Sequence, residues 1–134
     1  MSYARRLLDS YPRTATADAR VLATTIDALN DCAQACTGCA DGDLGEHNVA
    51  DLVRCIRLCL DCANVCTATV AVISRQTAYD AKAVRPLLDA CAVICKSSGD
   101  ECERHAGMHE HCRICAEACR RGEQASRELL MVIG

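Results

Sequence analysis

Between Cys55 and Cys66 four cysteines recur at intervals of four, three and four residues: Cys55-Ile56-Arg57-Leu58-Cys59-Leu60-Asp61-Cys62-Ala63-Asn64-Val65-Cys66. That rhythm returns each residue to one face of an α-helix. At ~1.5 Å rise per residue, the thiols form a stripe roughly 16 Å long. Three other stretches repeat it. Cys32, Cys36 and Cys39 step by four and three, Cys91, Cys95 and Cys102 by four and seven, and Cys112, Cys115 and Cys119 by three and four. All thirteen cysteines lie in these four stripes. The chain must therefore accommodate four helices that each carry a thiol face.

Punctuation along the chain sets the expected elements. Tyr3 to Ser10 reads as a short helix before Pro12, within an extension over residues 1–17 that precedes a bundle over 18–134. Thr14, Thr16 and Asp18 supply N-cap chemistry for the first long helix, whose lower part is apolar at Val21, Leu22, Ile26 and Leu29. Gly38, Asp41-Gly42-Asp43 and Gly45 are expected to break it, with Asp43 and Glu46 forming a capping box for a second helix from about Glu46 to Ser74. Thr77, with Asp80 three residues on, is the next capping candidate; the third helix carries Val84, Leu88 and its cysteines. Pro86 sits near its first turn or kinks it. After Gly107 the fourth helix carries Met108, Cys112, Cys115 and Cys119 and ends at Leu129 and Leu130.

Long helices with short connections imply an all-α, antiparallel up-down-up-down four-helix bundle with a short N-terminal helix. In that topology the cysteine-bearing parts of all four helices coincide at one end. Val21, Leu22, Ile26, Val70, Ile73, Val84, Leu88, Leu129 and Leu130 meet at the other. One half should be lined by thiols and the other packed conventionally. With no Trp and no Phe in 134 residues, that core rests on Ala, Leu, Val, Ile and Cys.

The formal charge of −3 and the scattered Lys and Arg give no basis for nucleic-acid binding. No apolar run is expected to serve as a membrane span. Arg5-Arg6 is not followed by an apolar segment, so the start of the chain does not read as an export signal and a cytoplasmic protein is expected.

Three explanations compete for the thiols. Buried Cys can act as a small hydrophobe, which explains one or two positions but not thirteen on four converging stripes. A disulfide framework is disfavoured by geometry. Helical residues three or four apart have Cβ atoms ~5–6 Å apart, whereas a disulfide wants ~3.5–4.5 Å, and the count is odd. A metal ion spans the longer gap. Thiolate-only sites suit Cu(I), Zn(II) and iron–sulfur clusters. Stacked tetrathiolate zinc would bury several negative charges, zinc motifs usually place Cys-x-x-Cys on turns, and iron–sulfur spacings depend on loops. Roughly one monovalent Cu(I) per thiolate leaves the core nearly neutral, so the charge argument selects copper.

The segments Cys55-x3-Cys59-x2-Cys62-x3-Cys66 and His105-Ala106-Gly107-Met108-His109-Glu110-His111-Cys112-x2-Cys115-x3-Cys119-Arg120-Arg121 resemble the cytosolic copper storage proteins. The resemblance runs from about Asp18 to Leu130. It implies a four-helix bundle whose inward cysteines hold many Cu(I) ions, and a homotetramer. Asp43, Ser98, Gly122 and Ser126 stand where fuller stripes would carry Cys, which implies a lower capacity, a naturally sparse member or an engineered variant.

His105, Met108, His109 and His111 cluster at the expected thiol end, and imidazole and thioether both bind Cu(I). They are candidate ligands of an entry port, with His47 a weaker candidate and Asp43 a possible acidic lip. Alternatives stay open: a copper chaperone or sensor, or a zinc or iron–sulfur thiolate protein. No Ser-His-Asp set, phosphate loop, paired carboxylate site or singled-out reactive cysteine is present, so no enzyme is expected.

Overall fold

The computed structural model describes residues 2–13 and 17–133. Thr14 and Thr16 lie outside them. The elements in order are α1 (Tyr3–Ser10), α2 (Ala19–Leu44), a 3-10 turn (Val49–Leu52), α3 (Val53–Ile73), α4 (Ala81–His105) and α5 (Glu110–Val132). Helix α2 packs on α3 and α5, and α4 packs on the same two, so the long helices form a closed ring of neighbours. The Cα atoms of diagonal pairs stay more than 8 Å apart among the described residues, and only side chains meet across the axis. Helix α1 lies against α2. This is the antiparallel bundle, with its short leading helix, that the stripes require.

Local chemistry starts the helices. Ser2 Oγ accepts from the Arg5 amide at 3.3 Å, and Asp18 Oδ1 accepts from the Arg20 and Val21 amides at 2.8 and 3.1 Å. Each cap satisfies donors that the first turn leaves free. Asp80, not Thr77, caps α4, accepting from the Lys82 amide at 3.0 Å.

Three boundaries differ from the sequence reading. Helix α2 runs through Gly38, Asp41, Gly42 and Asp43 to Leu44, and only Gly45 ends it. A helical Gly costs up to ~1 kcal/mol relative to Ala, too little to end a helix of 26 residues whose cysteine face is buried. At Gly42 the missing side chain is used: a Cβ there would stand 3.1 Å from the His111 ring. Asp43 is therefore inside α2 and forms no capping box with Glu46, and α3 proper begins at Val53 after the 3-10 turn. Helix α5 starts at Glu110 with His109 as its N-cap residue, which leaves Met108 in the preceding turn. Pro86 is the sixth residue of α4, in its second turn. It withholds a donor from the Lys82 carbonyl, yet the helix continues.

The two halves are distinct. Leu22, Ile26, Leu29, Ile73, Val84, Leu88, Leu129 and Ile133 are buried at one end, with Val21, Val70 and Leu130 half-buried against them. Burying each large aliphatic side chain is worth about 1.5–3 kcal/mol. The Arg85 guanidinium donates to the Ile133 carbonyl at 2.9 Å, and the Tyr11 hydroxyl donates to the Ser74 carbonyl, tying α1 to the end of α3. Contrary to the sequence expectation, Val49–Ile73 is long and apolar enough to cross a membrane by length and composition. Cysteine supplies much of that apolar character, and Cys55, Cys59, Cys62 and Cys66 are fully buried in the bundle. The segment is one of the four helices that ring the thiol column.

Candidate metal centre

All thirteen cysteines are free thiols and all are buried. Their sulfurs form a column along the bundle axis. At its inner end Cys91 lies 4.0 Å from Cys66, which lies 3.6 Å from Cys95 and 3.8 Å from Cys62. Cys32 joins next, 3.7 Å from Cys62, 3.8 Å from Cys119 and 4.0 Å from Cys36. Cys36 leads to Cys119 at 3.5 Å and Cys115 at 3.6 Å, and Cys115 to Cys59 at 3.9 Å. Cys59 reaches Cys102 at 3.5 Å, and Cys55 lies 3.8 Å from Cys102. Cys39 gathers with Cys59, Cys102 and Cys115 within 4.8 Å and contacts Cys112 at 3.7 Å. These separations are far beyond a ~2.05 Å disulfide bond. With metal–sulfur bonds of ~2.3 Å, the length zinc makes, two sulfurs sharing an ion stand no more than ~4.6 Å apart. The column has the spacing of thiolates that share ions.

Two stripe positions without cysteine are built into it. Ser98 Oγ accepts from Cys119 at 3.5 Å and donates to Cys59 at 3.8 Å. Ser126 is fully buried beside the inner end, and its hydroxyl has no partner among the described residues.

The outer end changes chemistry. Cys39, Asp43, His111 and Cys112 present one ligand atom each within 4.8 Å of one another. His111 Nδ1 lies 3.4 Å from Cys39 and 3.6 Å from Cys112, and Cys112 donates to Asp43 Oδ1 at 3.5 Å. Burial pushes the Asp43 carboxyl above its usual range, and the charge on Cys39 adds to this. Asp43 is fully buried with Oδ2 unpartnered among the described residues, so it is no acidic lip.

The carboxylate at the mouth is Glu46. Its Oε2 accepts from His111 Nε2 at 2.8 Å and pairs with His109 Nδ1 at 2.9 Å. The His109 and His111 rings stack, with centroids 5.4 Å apart and planes 11° from parallel. A neutral imidazole that donates from one nitrogen offers a lone pair on the other. Glu46 thus leaves His111 Nδ1 as a ligand-ready atom aimed at the thiols. Burial opposes a charged His111, but hydrogen bonds to Cys39 and Glu46 outweigh it and raise its pKa. The hydrogen bond from His111 holds Glu46 below its usual value.

Other expected site residues lie apart. Met108 is 73% exposed, and His47 is exposed in the turn after α2. His105 bonds Glu101 Oε2 at 2.9 Å rather than a thiol, and Glu101, itself buried, also pairs with Arg104 at 2.9 Å and Arg54 at 3.5 Å. Helical phase flagged Asp43, four residues past Cys39, but its glycine neighbours placed it in a turn. Glu46 and Glu101 gave no signal of their own.

The family model for copper storage proteins matches residues 18–131. The copper storage protein Ccsp from Streptomyces lividans, solved loaded with 10 copper equivalents, is 56% identical with a TM-score of 0.95, covering 97% of this chain and 99% of that one. A structure of copper loading to a cytosolic copper storage protein from Streptomyces lividans, with five coppers, is 60% identical with a TM-score of 0.84, covering 86% and 96%. The cysteine-rich protein YhjQ of Bacillus subtilis (strain 168) is 39% identical over 93 residues, 69% of this chain and 81% of that protein. A family match across the whole bundle, with relatives this similar over most of their length, means that the chain belongs to the copper storage protein family.

Proposed function

We propose that this protein binds and stores multiple Cu(I) ions on the inward thiolates of Cys32, Cys36, Cys39, Cys55, Cys59, Cys62, Cys66, Cys91, Cys95, Cys102, Cys112, Cys115 and Cys119. One observation carries the reading: thirteen buried free thiols run in a single column with neighbours mostly 3.5–4.0 Å apart. Only a soft, monovalent cargo fills such a column without accumulating charge. His111 is the ligand at the outer end and His109 its neighbour at the mouth; His105 and Met108 take no direct part. The leucine-rich half holds the bundle when no copper is present.

The setting follows from the chemistry. Reduced thiols persist in the cytoplasm, where this protein is proposed to act, as its Streptomyces lividans relative is described to do. Val53 and Leu60 are exposed along α3 and offer an apolar face for self-association into the homotetramer. No reaction is assigned to the protein, and neither nucleic acid nor membrane is a proposed partner.

The test is an anaerobic Cu(I) titration of fully reduced protein against a competing chromogenic chelator, repeated with Zn(II). Tight uptake approaching the thiol count, with few zinc sites, is the expected result. Uptake of one or two coppers would identify a chaperone or sensor instead, and a preference for zinc would overturn the charge argument.

A further inference from the structure

Outside the thiol column, Glu46, His109 and His111 form a second donor set of different character. Their ligand atoms lie within 4.8 Å of one another, and all three residues are only partly buried. The Oε2–nitrogen separations are 2.8 and 2.9 Å. Ligands at adjacent positions on bonds of ~2.0–2.1 Å stand ~2.9–3.4 Å apart, close to these two oxygen–nitrogen separations, and the partly exposed Glu46 side chain can draw back to admit a cation of zinc size. Two imidazoles and a carboxylate suit borderline divalent ions, whereas Cu(I) prefers sulfur. One carboxylate also half-neutralises a divalent charge, and solvent at the mouth can complete the shell.

We infer that Glu46, His109 and His111 form an outer site for a zinc-class divalent cation, and that its occupancy opposes copper transfer to the thiols. This rests on the storage reading above. The antagonism comes from His111. When His111 is neutral and donates from Nε2 to Glu46, its Nδ1 lone pair faces Cys39 and Cys112 at 3.4 and 3.6 Å. An ion bound to Nε2 displaces that proton, and the neutral ring keeps one by carrying it on Nδ1. No proton is gained or lost overall. The inward lone pair is now an N–H directed at the sulfurs, so it no longer receives Cu(I). His109 undergoes the matching exchange: its Nδ1 releases the proton shared with Glu46, and its buried Nε2, unpartnered among the described residues, takes it up.

Cobalt(II) is the spectroscopic probe for this site, added to reduced, copper-free protein under anaerobic conditions. The first equivalent is expected to give ligand-field bands without thiolate charge-transfer absorption, at one ion per chain. E46Q and H109A should each weaken it by at least about tenfold. One equivalent of Zn(II) should slow the initial uptake of Cu(I) from a chelator complex several-fold in the native protein and much less in either variant. Thiolate charge-transfer bands in the first equivalent, or native affinity in both variants, would overturn the outer site. The final copper count, measured in the same samples, reports on storage separately: a chain that holds no copper would sink the storage reading and leave the cobalt result intact.

Discussion

A Cβ on Gly122 of α5 would stand 3.2 Å from the Cys95 sulfur and 3.4 Å from the Cys32 Cβ. The glycine lets three helices close on the inner part of the column. Replacing it with alanine gains up to ~1 kcal/mol of helix propensity, against ~1–3 kcal/mol for crowding a packed core. Cys95 has little room to give, with Cys66 at 3.6 Å and Cys62 at 3.8 Å. G122A should therefore lower the melting temperature of the reduced, copper-free protein by about 3–5 °C per kcal/mol of net loss. Thermal circular dichroism reads this, and an unchanged or raised midpoint would show that the helices part freely.

Ser98 bears on capacity. Its hydroxyl contacts Cys119 at 3.5 Å and both Cys36 and Cys59 at 3.8 Å. A sulfur in its place would have three thiolate neighbours at the separations found throughout the column. S98C should raise the copper count at saturation above that of the native protein, while S98A should leave it unchanged. The chelator-competition titration decides between them; equal counts for S98C and native protein would mean that sulfur number does not limit capacity.

Much of this was legible in the sequence because cysteine spacing encodes helix phase directly. The stripes at 32–39, 55–66, 91–102 and 112–119 placed every sulfur on the correct face of its helix and at the same end of the bundle. Boundaries were less legible. Gly38, Gly42 and Asp43 looked like a turn because local propensity is weak beside tertiary packing, and nothing local announces that His111, far along the chain, fills the space at Gly42. Glu46 was hidden for the same reason: its two histidine partners come from the other end of the bundle's sequence.

Leu88, fully buried in the apolar half, separates folding from storage. L88A should cost about 2–5 kcal/mol in the copper-free protein. Copper bound only by the folded chain adds stability by linkage, so the loaded variant should melt well above the unloaded one. Its copper count should equal the native count, because no thiol contacts are removed. A lowered count would show that the two halves are not independent.

The Glu46–His111 pair gives the mouth a pH signature. Glu46 is held below its ordinary value of 4.5, so its contribution is full above that pH and is lost as pH falls through the lowered value. His111 is raised above its ordinary 6.5, so its contribution is full below that pH and is lost as pH rises through the raised value. Both are present together between about pH 4.5 and 6.5. The difference in melting temperature between native protein and E46Q should peak in that window and shrink on either side. A difference that is flat with pH would indicate a neutral hydrogen bond only.

Copper exchange should depend on His111 more than on His105. His111 Nδ1 is within 3.6 Å of two thiols, whereas His105 is held by Glu101 on the flank of α4. An incoming Cu(I) needs a donor that exchanges faster than a buried thiol, and His111 is the imidazole placed to hand it to Cys39 or Cys112. H111A should slow both uptake and release several-fold at nearly unchanged capacity, since the substitution removes none of the thirteen sulfurs. H105A should change the rates far less. Stopped-flow transfer between the protein and a chromogenic chelator measures both directions. Equal rates in H111A and native protein would mean that copper reaches the column by a route that does not pass His111.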